Sequence, residues 1–153
     1  MTYYHLAGGK LGPGSIVDPG NWGRIVRIHG WNHTAATREM ALEGARISKF
    51  SAFPSRLDCC FAFASLDEAK AFQTGPNGFN THLLYRVSLI DPFVLTGITS
   101  WALSFFNGAL RHDWADDYWR AMKRIQAGVA VGVGEGREVL TLSPLRIEEC
   151  LSP

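Results

Sequence analysis

The run Phe50 to Gln73, FSAFPSRLDCCFAFASLDEAKAFQ, constrains the fold of this chain more than any other stretch. From Leu57 to Ala64 the sequence is nearly continuously apolar and bounded by polar residues, as in a strand covered on both faces. A short helix is expected next, with Asp67 at its start and Phe72 closing it. Phe61 and Phe72 lie eleven residues apart. If the helix folds back beside the strand, their rings face each other across a slot suited to a flat heteroaromatic ring. The competing reading makes both ordinary core phenylalanines.

The rest of the chain is expected to form one domain, residues 1–153, of mixed α+β class, with short strands interrupted by helices. Tyr3 to Ala7 and Ser15 to Val17 are expected strands, and Asp18 to Gly23 a turn. Arg24 to His29, RIVRIH, reads as a half-buried strand. Thr34 is placed to cap a helix from Ala35 to about Ile47, burying Ala36, Met40 and Ile47 and exposing Arg38, Glu39, Glu43 and Arg46. His82 to Ile90 is an expected strand ended or bent by Asp91-Pro92, with Phe93 to Leu95 as a possible continuation. Thr99 to Arg111 reads as a short helix or a loop. Trp114 to Gln126 has helical spacing at Trp114, Tyr118, Met122 and Ile125, with Gly128 as its stop. Val139 to Leu142 and Leu145 to Ile147 are the last expected strands.

Composition narrows the partners. With 15 basic and 14 acidic side chains the net charge is +1, which disfavours a nucleic-acid or anionic-membrane footprint. No apolar run reaches membrane-spanning length. Adjacent Cys59 and Cys60 would point to opposite faces of a strand, and Cys150 lies far off, so no disulfide framework or metal site is expected. A cytoplasmic setting follows, or delivery into a target cell by a route the sequence does not display, since MTYYHLAGGK lacks the features of a secretory signal.

Three features fall in a telling order: His5 in the first strand, the aromatic pair Phe61 and Phe72, and Glu138 opening a late hydrophobic strand, EVLTL. That order resembles the ADP-ribosyltransferase superfamily in its His-Tyr-Glu branch. The stretches PSRLDCCFAFASLDEA, YWRA and EVLTLSPLRIEE also resemble uncharacterised bacterial domains of the same clan. In that branch a pair of tyrosines flanks nicotinamide; here Phe61 and Phe72, with ten residues between them, stand in those places.

The resemblance implies split β-sheets with short flanking helices around an NAD cleft. It implies transfer of ADP-ribose from NAD, as substrate, to a protein or small-molecule acceptor, in the manner of a bacterial toxin or effector. Glu138 would stabilise the oxocarbenium-like state and orient the acceptor, His5 would hold a ribose hydroxyl, and the backbone at Ala7 would bind the carboxamide. Ser55 and Arg56, just before the central strand, are candidates to reach the cleft. Arg24 and Arg27 are candidates for the NAD phosphates, against a reading as solvated surface residues. Asn107 to Asp113 or Gly132 to Arg137 would choose the acceptor.

The sequence departs from the branch at Leu6, at both phenylalanines, and at Ala69, where polymerases of the branch carry a serine. Alternatives are an NAD glycohydrolase, a relative of RNA 2′-phosphotransferases, or a non-catalytic binding module of the same fold. Trp101, Phe105, Phe106 and Trp114 are read either as core or lid packing or as an exposed patch for a protein target.

Overall fold

The computed structural model describes residues 1–76, 78–105, 113–126, 131–132 and 134–153. The expected stop at Gly128, Phe106 of the aromatic group and residues 107–112 of one acceptor loop lie outside the described residues. The strands are β1 (Tyr3–Ala7), β2 (Ile16–Val17), β3 (Cys60–Ala62), β4 (Leu83–Leu89), β5 (Thr96–Ser100), β6 (Lys123–Arg124), β7 (Arg137–Thr141) and β8 (Leu145–Cys150). The helices are α1 (Asn21–His29), α2 (Ala36–Lys49), α3 (Leu66–Thr74) and α4 (Trp114–Arg120). The class is α+β, with two antiparallel four-stranded sheets ordered β1-β4-β8-β2 and β3-β7-β5-β6.

The sheets touch edge to edge at a single described bridge, Tyr4 with Phe63, where Tyr4 N donates to Phe63 O at 3.0 Å and Phe63 N to Tyr4 O at 2.7 Å. Elsewhere they share a core. Tyr3, Tyr85, Val87, Leu145 and Ile147 of the first sheet pack with Cys60, Ala62, Ile98 and Val139 of the second. On the opposite face of the second sheet, Phe61 and Leu140 meet Leu42 of α2 and Ala115, Tyr118 and Trp119 of α4. Residues two apart on a strand share a face, so Phe63 and Glu138 lie on this same side. The two helices are tied by Trp119 Nε1 donating to Leu42 O at 2.8 Å and by Lys49 Nζ to Asp116 Oδ2 at 2.6 Å.

Four expectations are corrected. Arg24–His29 is part of α1, not a strand, because Trp22, Ile25 and Val26 already follow helical spacing and Gly23 lets the helix press on the turn at Leu57. A Cβ at Gly23 would stand 2.0 Å from Leu57 O, a backbone atom that cannot swing aside. Gly23→Ala is therefore expected to cost about 1–3 kcal/mol in urea unfolding, by overpacking; wild-type stability in that variant would show that α1 yields there at no cost.

The second correction is the orientation of α2. Met40 and Ile47 are 55% and 64% exposed, whereas Glu39 is 1% exposed and Leu42 fully buried. Ala35, not Thr34, precedes the first turn, without a side-chain cap. Third, the expected strand Leu57–Ala64 is a 3-10 turn at Arg56–Asp58 followed by the short β3. Ser55 initiates the turn by accepting from Leu57 N at 3.2 Å. Fourth, the helix expected over Trp114–Gln126 ends at Arg120, and Lys123–Arg124 pairs with β5, a strand the sequence reading did not anticipate.

Candidate functional site

The site is built around Arg56, which is 5% exposed. A buried guanidinium requires acceptors on its donors and compensating charge. Glu39 of α2 supplies a two-pronged partner, taking Nε at 3.0 Å on Oε2 and Nη2 at 3.0 Å on Oε1. Nη1 reaches Glu138 Oε1 and the Tyr118 hydroxyl, both at 2.6 Å, and Tyr118 donates to the same Glu138 oxygen at 2.7 Å. The guanidinium also lies over two rings, 4.9 Å from Phe61 and 5.0 Å from Tyr118. This need for carboxylate turns the charged face of α2 inward and leaves Met40 and Ile47 in water.

Electrostatics follow from burial and these contacts. Burial works to raise the Glu39 carboxyl, but the charge and hydrogen bonds of Arg56, with help from Arg38, outweigh it and hold the group below its ordinary value. Burial is also the largest cause acting on Tyr118, and with Glu138 it raises the phenol well above its usual value, so Tyr118 remains a hydroxyl donor. Arg56 is raised despite burial, through Tyr118, Glu138 and Glu39. Because Glu39 is depressed from 4.5, it contributes stability that is fully present above that pH and lost as pH falls through the lower folded value. Unfolding free energies measured from pH 3 to 7 are expected to show a shallower acid limb in Glu39→Gln than in wild type. Identical acid limbs would remove Glu39 from this account.

Ser55 neighbours the centre and donates to Glu43 Oε2 at 2.8 Å. His5, half-buried on β1, faces β3, with Nδ1 2.7 Å from Phe61 O. Burial lowers its pKa, opposed by the Phe61 carbonyl. Ala7 ends β1 opposite Leu83. The start of β7 is pinned to α3, since Arg137 Nε donates to Glu68 Oε1 at 2.6 Å.

The structure thus brings Arg56, Phe61 and Glu138 together, with Ser55 next to Arg56 in the chain and His5 touching the Phe61 backbone carbonyl. It separates the others. The Phe72 ring contacts Phe63 at 5.3 Å, Trp101 at 5.1 Å and Phe79 at 6.1 Å, and no ring contact joins it to Phe61. Phe63, just past β3, is the aromatic that meets α3, packing with Ala69 and Phe72. Arg24 and Arg27 lie exposed on α1, with polar contacts to Asn21 Oδ1 at 2.6 Å and Asp58 Oδ1 at 3.4 Å. Glu138, which a local reading would leave solvated at a strand edge, is 7% exposed.

Sequence reasoning missed Glu39, taken as exposed, and the polar role of Tyr118, taken as part of an apolar stripe. It also missed Trp101 as the partner of Phe72. Trp101 Nε1 and the Nε of Arg38, whose Cζ sits 4.6 Å over Phe105, are buried without hydrogen-bond partners among the described residues. Among the described residues no group of His, Cys, Asp or Glu is arranged to hold a metal, and no helix is long and apolar enough to cross a membrane. A cleft bordered by Tyr3, Ser88, Pro92 and Thr96 contains none of the candidate residues.

Fold and centre define an α+β protein with a buried arginine bracketed by two glutamates. Residues 17–129 match the family described as Protein of unknown function (DUF2441), and the chain belongs to that family. No curated protein matches it.

Proposed function

We propose that the protein is an NAD-dependent ADP-ribosyltransferase with Glu138 as its catalytic carboxylate. The observation that carries this reading is the adjacency of three strands far apart in sequence. His5 on β1 bonds the Phe61 carbonyl of β3, and β3 pairs with β7, which bears Glu138. The split between the two sheets at Tyr4 and Phe63 supports the finer, ADP-ribosyltransferase-like description of the fold.

In the reaction, the bond between C1′ of the ribose and the nicotinamide nitrogen breaks. Its electron pair leaves with neutral nicotinamide, the acceptor's nucleophile bonds to C1′, and the acceptor's proton is released. Positive charge builds on the ribose as the bond breaks, and a carboxylate fixed beside it stabilises that charge. The acceptor is a protein or a small molecule, with water as the hydrolytic alternative. The aromatic set of Phe63, Phe72 and Trp101 is the wall we assign to the nicotinamide side, replacing the pair Phe61 and Phe72.

A second reading, a non-catalytic binding module, is favoured by one observation: Glu138 is engaged by Arg56 and Tyr118 in this structure. Nicotinamide release from NAD, with labelled NAD and lysate as a source of acceptors, separates the two readings. Release that depends on Glu138 supports the transferase. No release and no calorimetric NAD binding support the binding module.

A further inference from the structure

Both hydrogen bonds that Glu138 accepts among the described residues go to one oxygen, Oε1. Their donors are themselves immobilised. Arg56 is gripped by Glu39 through Nε and Nη2. Tyr118 is fully buried, and its backbone oxygen accepts the Thr99 hydroxyl at 2.8 Å. Thr99 is in turn the cross-strand partner of Glu138. Arg56, Tyr118 and Glu138 thus close a triangle of hydrogen bonds, held from one side by Glu39 through Arg56 and from the other by Thr99 through Tyr118.

We infer that Arg56 and Tyr118 are positioning residues that occupy Oε1 and thereby commit Oε2 of Glu138 to the substrate. The inference rests on the NAD-cleaving reading and adds to it the oxygen that faces the reacting ribose. A carboxylate held by two donors on one oxygen loses both rotation about its terminal bond and exchange of its two oxygens. A reaction that needs charge at one place gains from that restraint through kcat, because the interaction is made in the transition state. Arg56 and Tyr118 touch Glu138 and not the reacting atoms, so their effect passes through its geometry.

The test is steady-state nicotinamide release by the full chain, with a lysate acceptor present, for wild type, Glu138→Gln and Tyr118→Phe, alongside thermal unfolding. Tyr118→Phe is expected to lower kcat about tenfold or more with KM within about twofold. A merely structural role would lower the unfolding temperature and leave the kcat of the folded fraction alone. Loss of release in Glu138→Gln with wild-type kcat in folded Tyr118→Phe overturns the inference and leaves the transferase reading standing. Release retained in Glu138→Gln, or absent in wild type, overturns the reading and the inference with it. If Tyr118→Phe does not fold, Glu39→Gln, which slackens the grip on Arg56, carries the same test. Its kcat is expected to fall at constant KM, and an unchanged kcat overturns the inference.

Discussion

Glu138→Gln is expected to reduce nicotinamide release from NAD by about two to three orders of magnitude, the loss that follows removal of one preorganised charge-stabilising group. The size of the effect follows from where the charge sits. A carboxylate in a buried setting acts across a low effective dielectric, and water cannot replace it once it is neutral. The amide is nearly isosteric, and its oxygen can still accept from Arg56 Nη1 and the Tyr118 hydroxyl, so side-chain packing survives. Arg56 then has Glu39 as its remaining direct carboxylate partner among the described residues, which is expected to cost about 1–2 kcal/mol of stability. NAD affinity measured by calorimetry should change little, because the carboxylate is used most in the transition state. Turnover at the wild-type level in the variant would exclude Glu138 as the catalytic group.

The largest loss of stability is expected from Arg56→Met. The substitution keeps much of the side-chain length and removes the charge between two buried carboxylates and a buried phenol. Breaking a buried pair from one side typically costs about 3–5 kcal/mol, because the partners stay behind unpaired. That is a large part of the total stability of an ordinary domain. Urea unfolding followed by tryptophan fluorescence measures it directly. The triple replacement Arg56→Met, Glu39→Leu and Glu138→Leu should recover much of the loss, since no unpaired charge then remains buried. If the single variant is as stable as wild type, the centre is wetter than its burial implies. If the triple variant is as unstable as the single one, shape and not charge dominates.

The sequence was most legible where local pattern and tertiary role agree. YYHLA, HLLYRVSLI and EVLTL all carry enough β-branched or aromatic residues at the right spacing to mark β1, β4 and β7. His5 and Glu138 could be singled out because both stand in such strands. Legibility failed where a long-range partner overrides local preference. Glu39 meets Arg56 across 17 residues and Arg56 meets Glu138 across 82, so no helical period in α2 could reveal that its glutamate faces inward. Met40 and Ile47 mark an apolar stripe that the structure leaves outside. Tyr118 was placed correctly as buried, yet its hydroxyl found a use that spacing cannot show. The eleven-residue spacing of Phe61 and Phe72 suggested a facing pair, but the two point into different clusters, and Phe63 takes the place beside Phe72.

The narrow seam between the sheets is held in a different way from the sheets themselves. Within each sheet, separating neighbouring strands means undoing a ladder such as that from Tyr85 to Leu89 against β8. Along the seam, backbone pairing among the described residues is limited to the Tyr4–Phe63 bridge, with the His5 contact nearby, and the rest of the join is the shared core of Tyr3, Tyr85, Cys60, Ala62 and Val139. At about 1 kcal/mol for each hydrogen bond the polar part of that join is small, and burial of the shared apolar side chains, about 1.5–3 kcal/mol for each large one, supplies most of what holds the sheets together. The neighbourhood of Phe61 is therefore fastened by side-chain packing more than by backbone pairing, and a change of core volume there is felt by both sheets at once.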